Sequence, residues 1–285
     1  GPSRSAHQRQ PRVHPLKILG STQCDSITPI GVPNQLQAGL EISMPPSRVL
    51  QPEWMDRDDL DPAMHRQALR GLARLNYFSG GSAVLWSAIR RELFPHGPNT
   101  LLDVATGSGD LPLGLATRAR RAGIPLAITA TDKSELALSE ARVASAKAGF
   151  SGEGIQTLEW VLADALESES TPSLPAGPFD IVTCSLFLHH LTEEQAEKLL
   201  GQLAARTRRL LLVNDLDRSR WGGAVVWLAS RLLSRSPVVR FDGPASMGGA
   251  FTRWEASALA ARSGLRGASV SWRWPCRWLL EYRPQ

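Results

Sequence analysis

The strongest chemical signal is the run Asp103-Val104-Ala105-Thr106-Gly107-Ser108-Gly109-Asp110. An apolar stretch ending in an acid, then a glycine-rich turn, then a helical pattern, is the layout of a nucleotide site. The glycines let the backbone approach a ligand, and the N–H groups at the helix start point at its polar end. A dinucleotide turn would have three glycines spaced G-x-G-x-x-G. Here only Gly107 and Gly109 are present, Asp103 precedes them, and no phosphate-loop lysine follows. A carboxylate under such a turn repels phosphate and suits a ligand carrying a cationic amine. Further along, His189 and His190 follow an apolar run and could accept a proton near neutral pH. Asp215 could serve as a base, and Arg218 could steady an anionic oxygen. Each of these four could equally pack, cap a helix or sit in solvent. Cys184 reads as a small buried residue and not as a nucleophile. Asp180, just before a strand, reads as structural. No cluster has metal-ligand spacing, so no metal is expected.

The elements that must position these residues can be read from periodicity. Asp61-Pro62 starts a helix, with an acid at the N-cap and Pro in the first turn. Ser79-Gly80-Gly81-Ser82 breaks that helix, and Ala83 to Phe94 forms a second. From Asn99 onward, strands and helices alternate. Strands are expected at 101–105, 126–131, 158–162, 179–184 and 209–213, with helices at 113–122, 134–148 and 193–206. This order predicts an α/β, doubly wound, mostly parallel sheet covered on both faces. Ligands then bind at the C-terminal edge of the strands. The segment 221–235 is amphipathic. Thr252-Arg253-Trp254-Glu255 is a capping box opening a helix. Two runs, 268–274 and 276–282, are expected to pair antiparallel and close the sheet.

A turn of this kind fits S-adenosylmethionine, and residues 99–285 resemble the class I S-adenosylmethionine-dependent methyltransferases. Asp103 to Asp110 is similar to their first motif, with Ala105 where many members have glycine. The D-V-A-x-G-x-G-D form is similar to that of the menaquinone and ubiquinone C-methyltransferases. Thr131-Asp132-Lys133 lies where the family's acid accepts hydrogen bonds from the ribose hydroxyls. Leu162-Ala163-Asp164-Ala165 lies where its acid binds the adenine amino group. Phe179 to Leu191 is similar to the fourth motif. The resemblance therefore implies cofactor contacts from Asp103, Ala105, Thr106, Gly107, Ser108, Gly109, Asp132, Lys133, Asp164, Ala165, Cys184 and Ser185. It also implies that N-terminal helices shape the acceptor pocket, with Asn76, Tyr77 and Ser79 at its rim and Trp221 on the substrate side. The division expected is a flexible tail over 1–50, a helical cap over 51–97, and a Rossmann-like methyltransferase domain over 98–285. The last carries a substrate-side amphipathic segment at 218–250. The cofactor would leave as S-adenosylhomocysteine.

Composition narrows the acceptor. The chain has 285 residues and a formal net charge of +5, unevenly placed. Residues 201–285 hold 14 Arg, no Lys and 5 acids, a balance of +9. Residues 1–200 hold 18 basic and 22 acidic residues, a balance of −4. Six of the nine Trp lie in the basic third. No apolar run approaches the ~20 residues of a membrane span. Cys24, Cys184 and Cys276 suggest no disulfide framework, which points to a reducing compartment, the cytoplasm. The tail opens with Gly1-Pro2-Ser3, which reads as a cleavage scar, and carries four basic residues before its first acid without amphipathic spacing. Disorder is expected there, not targeting. These features favour a lipophilic small molecule (a phenol, quinol or polyketide-like acceptor) methylated on oxygen or an activated ring carbon, with peripheral membrane contact. An RNA methyltransferase would explain the basic third, but the N/D-P-P-Y/F motif and an RNA-binding module are lacking, which argues against nucleic acid. A non-catalytic cofactor-binding scaffold is the other alternative. The oligomeric state is left open.

Overall fold

A computed structural model describes Gly1 and residues 47–57, 59–150, 156–166 and 172–285. Nearly all of the expected tail, with Cys24, lies outside these residues. The remainder, Pro45–Gln285, is one compact unit. Its elements are α1 (Pro62–Phe78), α2 (Gly81–Glu92), β1 (Thr100–Val104), α3 (Asp110–Ala122), β2 (Leu126–Asp132), α4 (Glu135–Lys147), β3 (Gln156–Leu162) and β4 (Phe179–Ser185). Then come α5 (Glu193–Ala205), β5 (Thr207–Leu216), α6 (Arg220–Leu233), α7 (Pro237–Gly249), α8 (Arg253–Arg262), β6 (Ser269–Arg273) and β7 (Arg277–Tyr282). The strands form one seven-stranded sheet in the order β3-β2-β1-β4-β5-β7-β6. β1 to β5 are parallel, and β7 runs antiparallel to both β5 and β6. This is the doubly wound, Rossmann-like architecture expected, closed by the antiparallel strand.

Strand alternation sorts side chains between two cores. Leu102, Val104, Val182, Leu211, Val213, Trp278 and Leu280 pack with α5 and α8 on one face. Leu101, Ile181, Leu210, Leu212 and Leu279 pack with α2 and α3 on the other. Helix α2 therefore belongs to the main core, through Leu85, Ala88 and Ile89, and is not a detached cap. The same parity places Asp103 in step with Leu101, and Arg277 in step with Leu279. Both thus fall on the α2–α3 face.

Local signals read from the sequence recur at the element ends. Asp61 caps α1 by accepting from the N–H groups of Ala63 and Met64, with Pro62 at N1. Thr252 and Glu255 complete a reciprocal capping box at α8. Asp180 is structural, as read: it accepts from the Thr100 N–H and hydroxyl and pairs with Arg208.

Two expectations change. β5 is longer than 209–213, because Asn214, Asp215 and Leu216 continue the strand opposite Leu279, Trp278 and Arg277 of β7. The polar side chains at 214 and 215 concealed the pairing. The segment 218–250, of which only 221–235 showed an amphipathic pattern, holds two helices, since the glycines and internal Pro244 of α7 weaken its helical pattern. No helix among the described residues is long and apolar enough to cross a membrane.

Candidate active site

β1 delivers Asp103 to the sheet edge fully buried, at 1 % exposure. Its carboxylate accepts from Thr183 Oγ1 at 2.6 Å and Thr106 Oγ1 at 2.7 Å. Burial nevertheless pushes its pKa up to about 7, against the pull of those two hydroxyls. A dehydrated carboxyl of this kind gains from a cationic neighbour. The turn that follows alternates left-handed residues: Ala105 at φ 57, Gly107 at 58 and Gly109 at 74. Ala105 adopts a conformation that ordinarily falls to glycine, at a cost of about 1–2 kcal/mol. Gly109 is required twice over. A Cβ there would stand 2.4 Å from the Trp160 ring and 2.9 Å from Ala141, and its φ is left-handed.

Asp132, at the end of β2, braces this turn from the side. Its Oδ2 accepts from the Gly107 N–H at 2.7 Å and its Oδ1 from the Ser134 N–H at 2.9 Å. Burial raises its pKa, and the two backbone N–H groups hold it back. Each oxygen keeps a lone pair for a further donor. Asp164 is half-buried after β3, where its Oδ1 accepts from the Leu166 N–H at 2.8 Å. Ala165 beside it is buried and Lys133 is exposed. Cys184 is fully buried, and burial raises its thiol pKa well above the usual range. It is therefore an unreactive packing group.

A cavity of about 520 Å³ opens beside this turn, lined by Asp103, Ala105 and Thr106, by Asn76 and Tyr77 of α1, by Asp110 and by Ser185. Arg277 of β7 completes the lining. It is only 6 % exposed, and its Nη2 donates to Asn76 Oδ1 at 3.0 Å and Ser79 Oγ at 2.8 Å. No carboxylate among the described residues lies within ion-pair distance of it. Burial lowers the Arg277 pKa and raises that of Asp110, which the Asn76 side chain holds back. One cavity thus holds two dehydrated acids and one dehydrated base. That is the complement of an α-amino acid end, ammonium to the acids and carboxylate to the guanidinium. Arg277, Asp110 and Ser82 were not among the site residues expected from sequence. The usable signal was a lone Arg inside the apolar run Cys276 to Leu280, which a packed strand tolerates only with a polar task.

A second polar cluster lies below the β4–α5 connection. His189 Nδ1 is 2.7 Å from Asp215 Oδ1, and the His189 N–H donates to Asp215 Oδ2 at 3.2 Å. Burial would raise the Asp215 pKa. His189 and the Leu216 N–H instead hold it below the usual carboxylate range. An ionised Asp215 holds a proton on Nδ1 and orients the ring, whose Nε2 is 3.8 Å from Glu53 Oε1. Glu53 is buried, accepts from Ser246 Oγ, and is pushed by burial up to about 7. His190 Nδ1 lies 3.0 Å from Asp56 Oδ2. Glu53, His189 and His190 each offer one atom within 4.8 Å of the others, the set among the described residues that could hold a metal ion.

The structure therefore gathers Asn76, Tyr77, Asp103, Ala105, Thr106 and Ser185 around one cavity, with Ser79 joined to it through Arg277. His189, His190 and Asp215 form their own cluster and are not part of that lining. Arg218 is buried and donates to Glu255 at 2.7 Å and to the Ala250 carbonyl, tying β5 to the α8 capping box. Trp221 is 65 % exposed on α6.

Residues 101–209 match the family model of a methyltransferase domain. No curated protein sequence matches the chain. Among solved structures, the S-adenosylmethionine-dependent methyltransferase SibL in its apo form is similar at a TM-score of 0.55 and 17 % identity, over 88 % of this chain and 68 % of that one. A SAM-dependent methyltransferase from Aquifex aeolicus aligns at 0.51 and 17 % identity, over 79 % of this chain and 99 % of its own. Human N-acetylserotonin methyltransferase in complex with SAM aligns at 0.51 and 17 % identity, over 79 % and 59 %. At such identities the likeness establishes the fold.

Proposed function

We propose that this chain, whose residues 101–209 match a methyltransferase domain, is a class I S-adenosylmethionine-dependent enzyme that methylates a lipophilic phenol, quinol or polyketide-like small molecule on oxygen or an activated ring carbon. The observation that carries the reading is the cavity at the Asp103 turn, with its opposed charges. Asp103, Asp110 and Arg277 all line it, and their charges of both signs are suited to the two charges of the cofactor's amino-acid end. Asp132 would hold the ribose hydroxyls and Asp164 the adenine amino group. When bound, the sulfonium supplies a methyl group activated toward nucleophiles.

The protein's own contribution is mostly positioning, which can supply several kcal/mol of the barrier. The turn 105–109 fixes the cofactor side, and Tyr77 with the end of α1 borders the cavity from the other. The α6–α7 insertion after β5 offers an apolar surface for an acceptor's hydrocarbon part. The buried network His189–Asp215–Glu53 follows the end of β4 and is the protein's candidate proton acceptor. Asp215 orients the His189 ring through Nδ1, and Glu53 changes protonation near neutral pH.

The test is the products formed from S-adenosylmethionine and a panel of alkyl-phenols and quinols, resolved by mass and by position of the new methyl group. Methylated product from at least one lipophilic member is expected. Tight cofactor binding with turnover only on RNA, or with no turnover on any member, would overturn the acceptor class.

A further inference from the structure

Helix α6 is turned inside out relative to an ordinary surface helix. Its buried residues are Gly222 and Ser230. Trp221, Trp227, Leu228 and Leu232 point outward, the last at 73 % exposure. Gly222 and Ser230 face α7, with Val225 and Val226 packed partly buried beside them on the cluster of Leu216, Met247 and Ala250, and α1 closes on the end of the helix. A Cβ on Gly71 of α1 would lie 2.5 Å from Ser234 Oγ, and one on Gly243 of α7 3.1 Å from Val226. The helix is firmly held, with Ser219 accepting from the Gly222 N–H at its start.

Charge on this face has one sign. Arg220 and Arg231 lie on α6, with Arg235 and Arg240 just beyond. Between 218 and 250 the single acid is Asp242, which is buried and accepts from the Trp54 and Met55 N–H groups. The Arg231 guanidinium lies 4.0 Å over the Trp227 ring. A second copy of the chain is a poor occupant, since a two-fold contact would set these arginines against one another. Outward Trp and Leu flanked only by Arg is the pattern of a helix lying in the headgroup zone of an anionic bilayer.

The position fits that occupant. Arg277 pairs with Leu216 across the sheet, and its guanidinium holds Asn76 and Ser79. α6 starts four residues past Leu216, at the same sheet edge as the cavity, which Tyr77, 81 % exposed, borders.

We infer that α6 docks the enzyme on an anionic lipid surface, with the cavity mouth facing the bilayer. The purpose of this docking, delivery of the acceptor without passage through water, rests on the lipophilic-acceptor reading above. The docking itself does not.

Flotation of the full chain with phosphatidylcholine vesicles, with and without phosphatidylglycerol, tests it. Binding is expected only with the anionic lipid, and is expected to weaken with salt. Arg231→Glu/Arg235→Glu should lower partitioning by about 30-fold or more, since two basic side chains are lost from the anionic surface. Leu232→Glu, at an exposed position, should lower it by about tenfold with cofactor binding unchanged. No flotation, flotation indifferent to both variants, or a Leu232-dependent dimer without lipid binding would overturn the inference. Turnover of a detergent-dispersed alkyl-phenol, measured separately, tells failure of docking apart from failure of the acceptor reading.

Discussion

Arg277 gives the sharpest test of how the cavity recognises its cofactor. Arg277→Met keeps most of the side chain's length and volume while removing the guanidinium. Asn76 Oδ1 and Ser79 Oγ then lose their donor. Ser79 retains its own bond to the Asn76 carbonyl at 3.2 Å, so the orphaning is partial. Each lost bond costs about 1 kcal/mol, and relief of a buried cation offsets part of that. The fold should therefore lose no more than about 2 kcal/mol. Binding should lose more. A charge-assisted bond to the cofactor carboxylate is worth about 1.5–3 kcal/mol, or roughly a 10- to 150-fold weaker Kd. Calorimetric titration with S-adenosylhomocysteine, which keeps the amino-acid end, should show that loss. Titration with methylthioadenosine, which lacks it, should show wild-type affinity. Arg277→Lys should recover part of the difference as a point charge without the planar fork. Equal weakening toward both ligands would mean that the variant merely distorts the pocket. Unchanged S-adenosylhomocysteine affinity would remove Arg277 from the site.

Asp132→Ala deletes the brace on Gly107 and Ser134 as well as the expected ribose contact, so cofactor affinity should drop at least about tenfold. A Kd within twofold of wild type would contradict the ribose assignment. Ala105→Gly should raise Tm slightly, because relief of the left-handed alanine, about 1 kcal/mol, exceeds the added unfolded-state entropy. A lower Tm would show that the Ala105 methyl contributes more by packing than its backbone costs. For Glu53, the folded pKa of about 7 lies above its ordinary value of 4.5. The folded state then binds the proton more tightly. Its stabilising share is fully present below pH ~4.5 and is lost as pH rises through about 7. Denaturant melts of Glu53→Gln should lack that part of the decline, up to about 3 kcal/mol in wild type. A variant curve parallel to wild type across this window would place the proton elsewhere. Asp103, also near 7, contributes in the same direction and remains in both proteins.

How far the sequence reaches is clearest at particular residues. Gly107 and Gly109 after Asp103 announced a ligand turn, because the rule they obey is local: left-handed backbone and close approach need glycine. The capping acids Asp61 and Glu255 were legible for the same reason. Asn214 and Asp215 fall outside the strand legible in the sequence because their membership of β5 depends on β7, more than sixty residues later. Arg218 looked available for chemistry, yet Glu255 and the Ala250 carbonyl hold it.

By itself, then, the sequence determined the alternation of strands and helices, the parallel sheet and the Asp103 turn. Periodicity, capping and turn conformation are set by neighbours within a few residues. Tertiary structure alone decided which charges meet. Arg277 reaches Asn76 across 201 residues, and Glu53 approaches His189 from the far end of the chain. It also decided which side of α6 faces outward. An amphipathic pattern states that two faces differ. Only the packing of α7 against Gly222, Val226 and Ser230 shows that the face with Trp221, Leu228 and Leu232 is left for something else to cover.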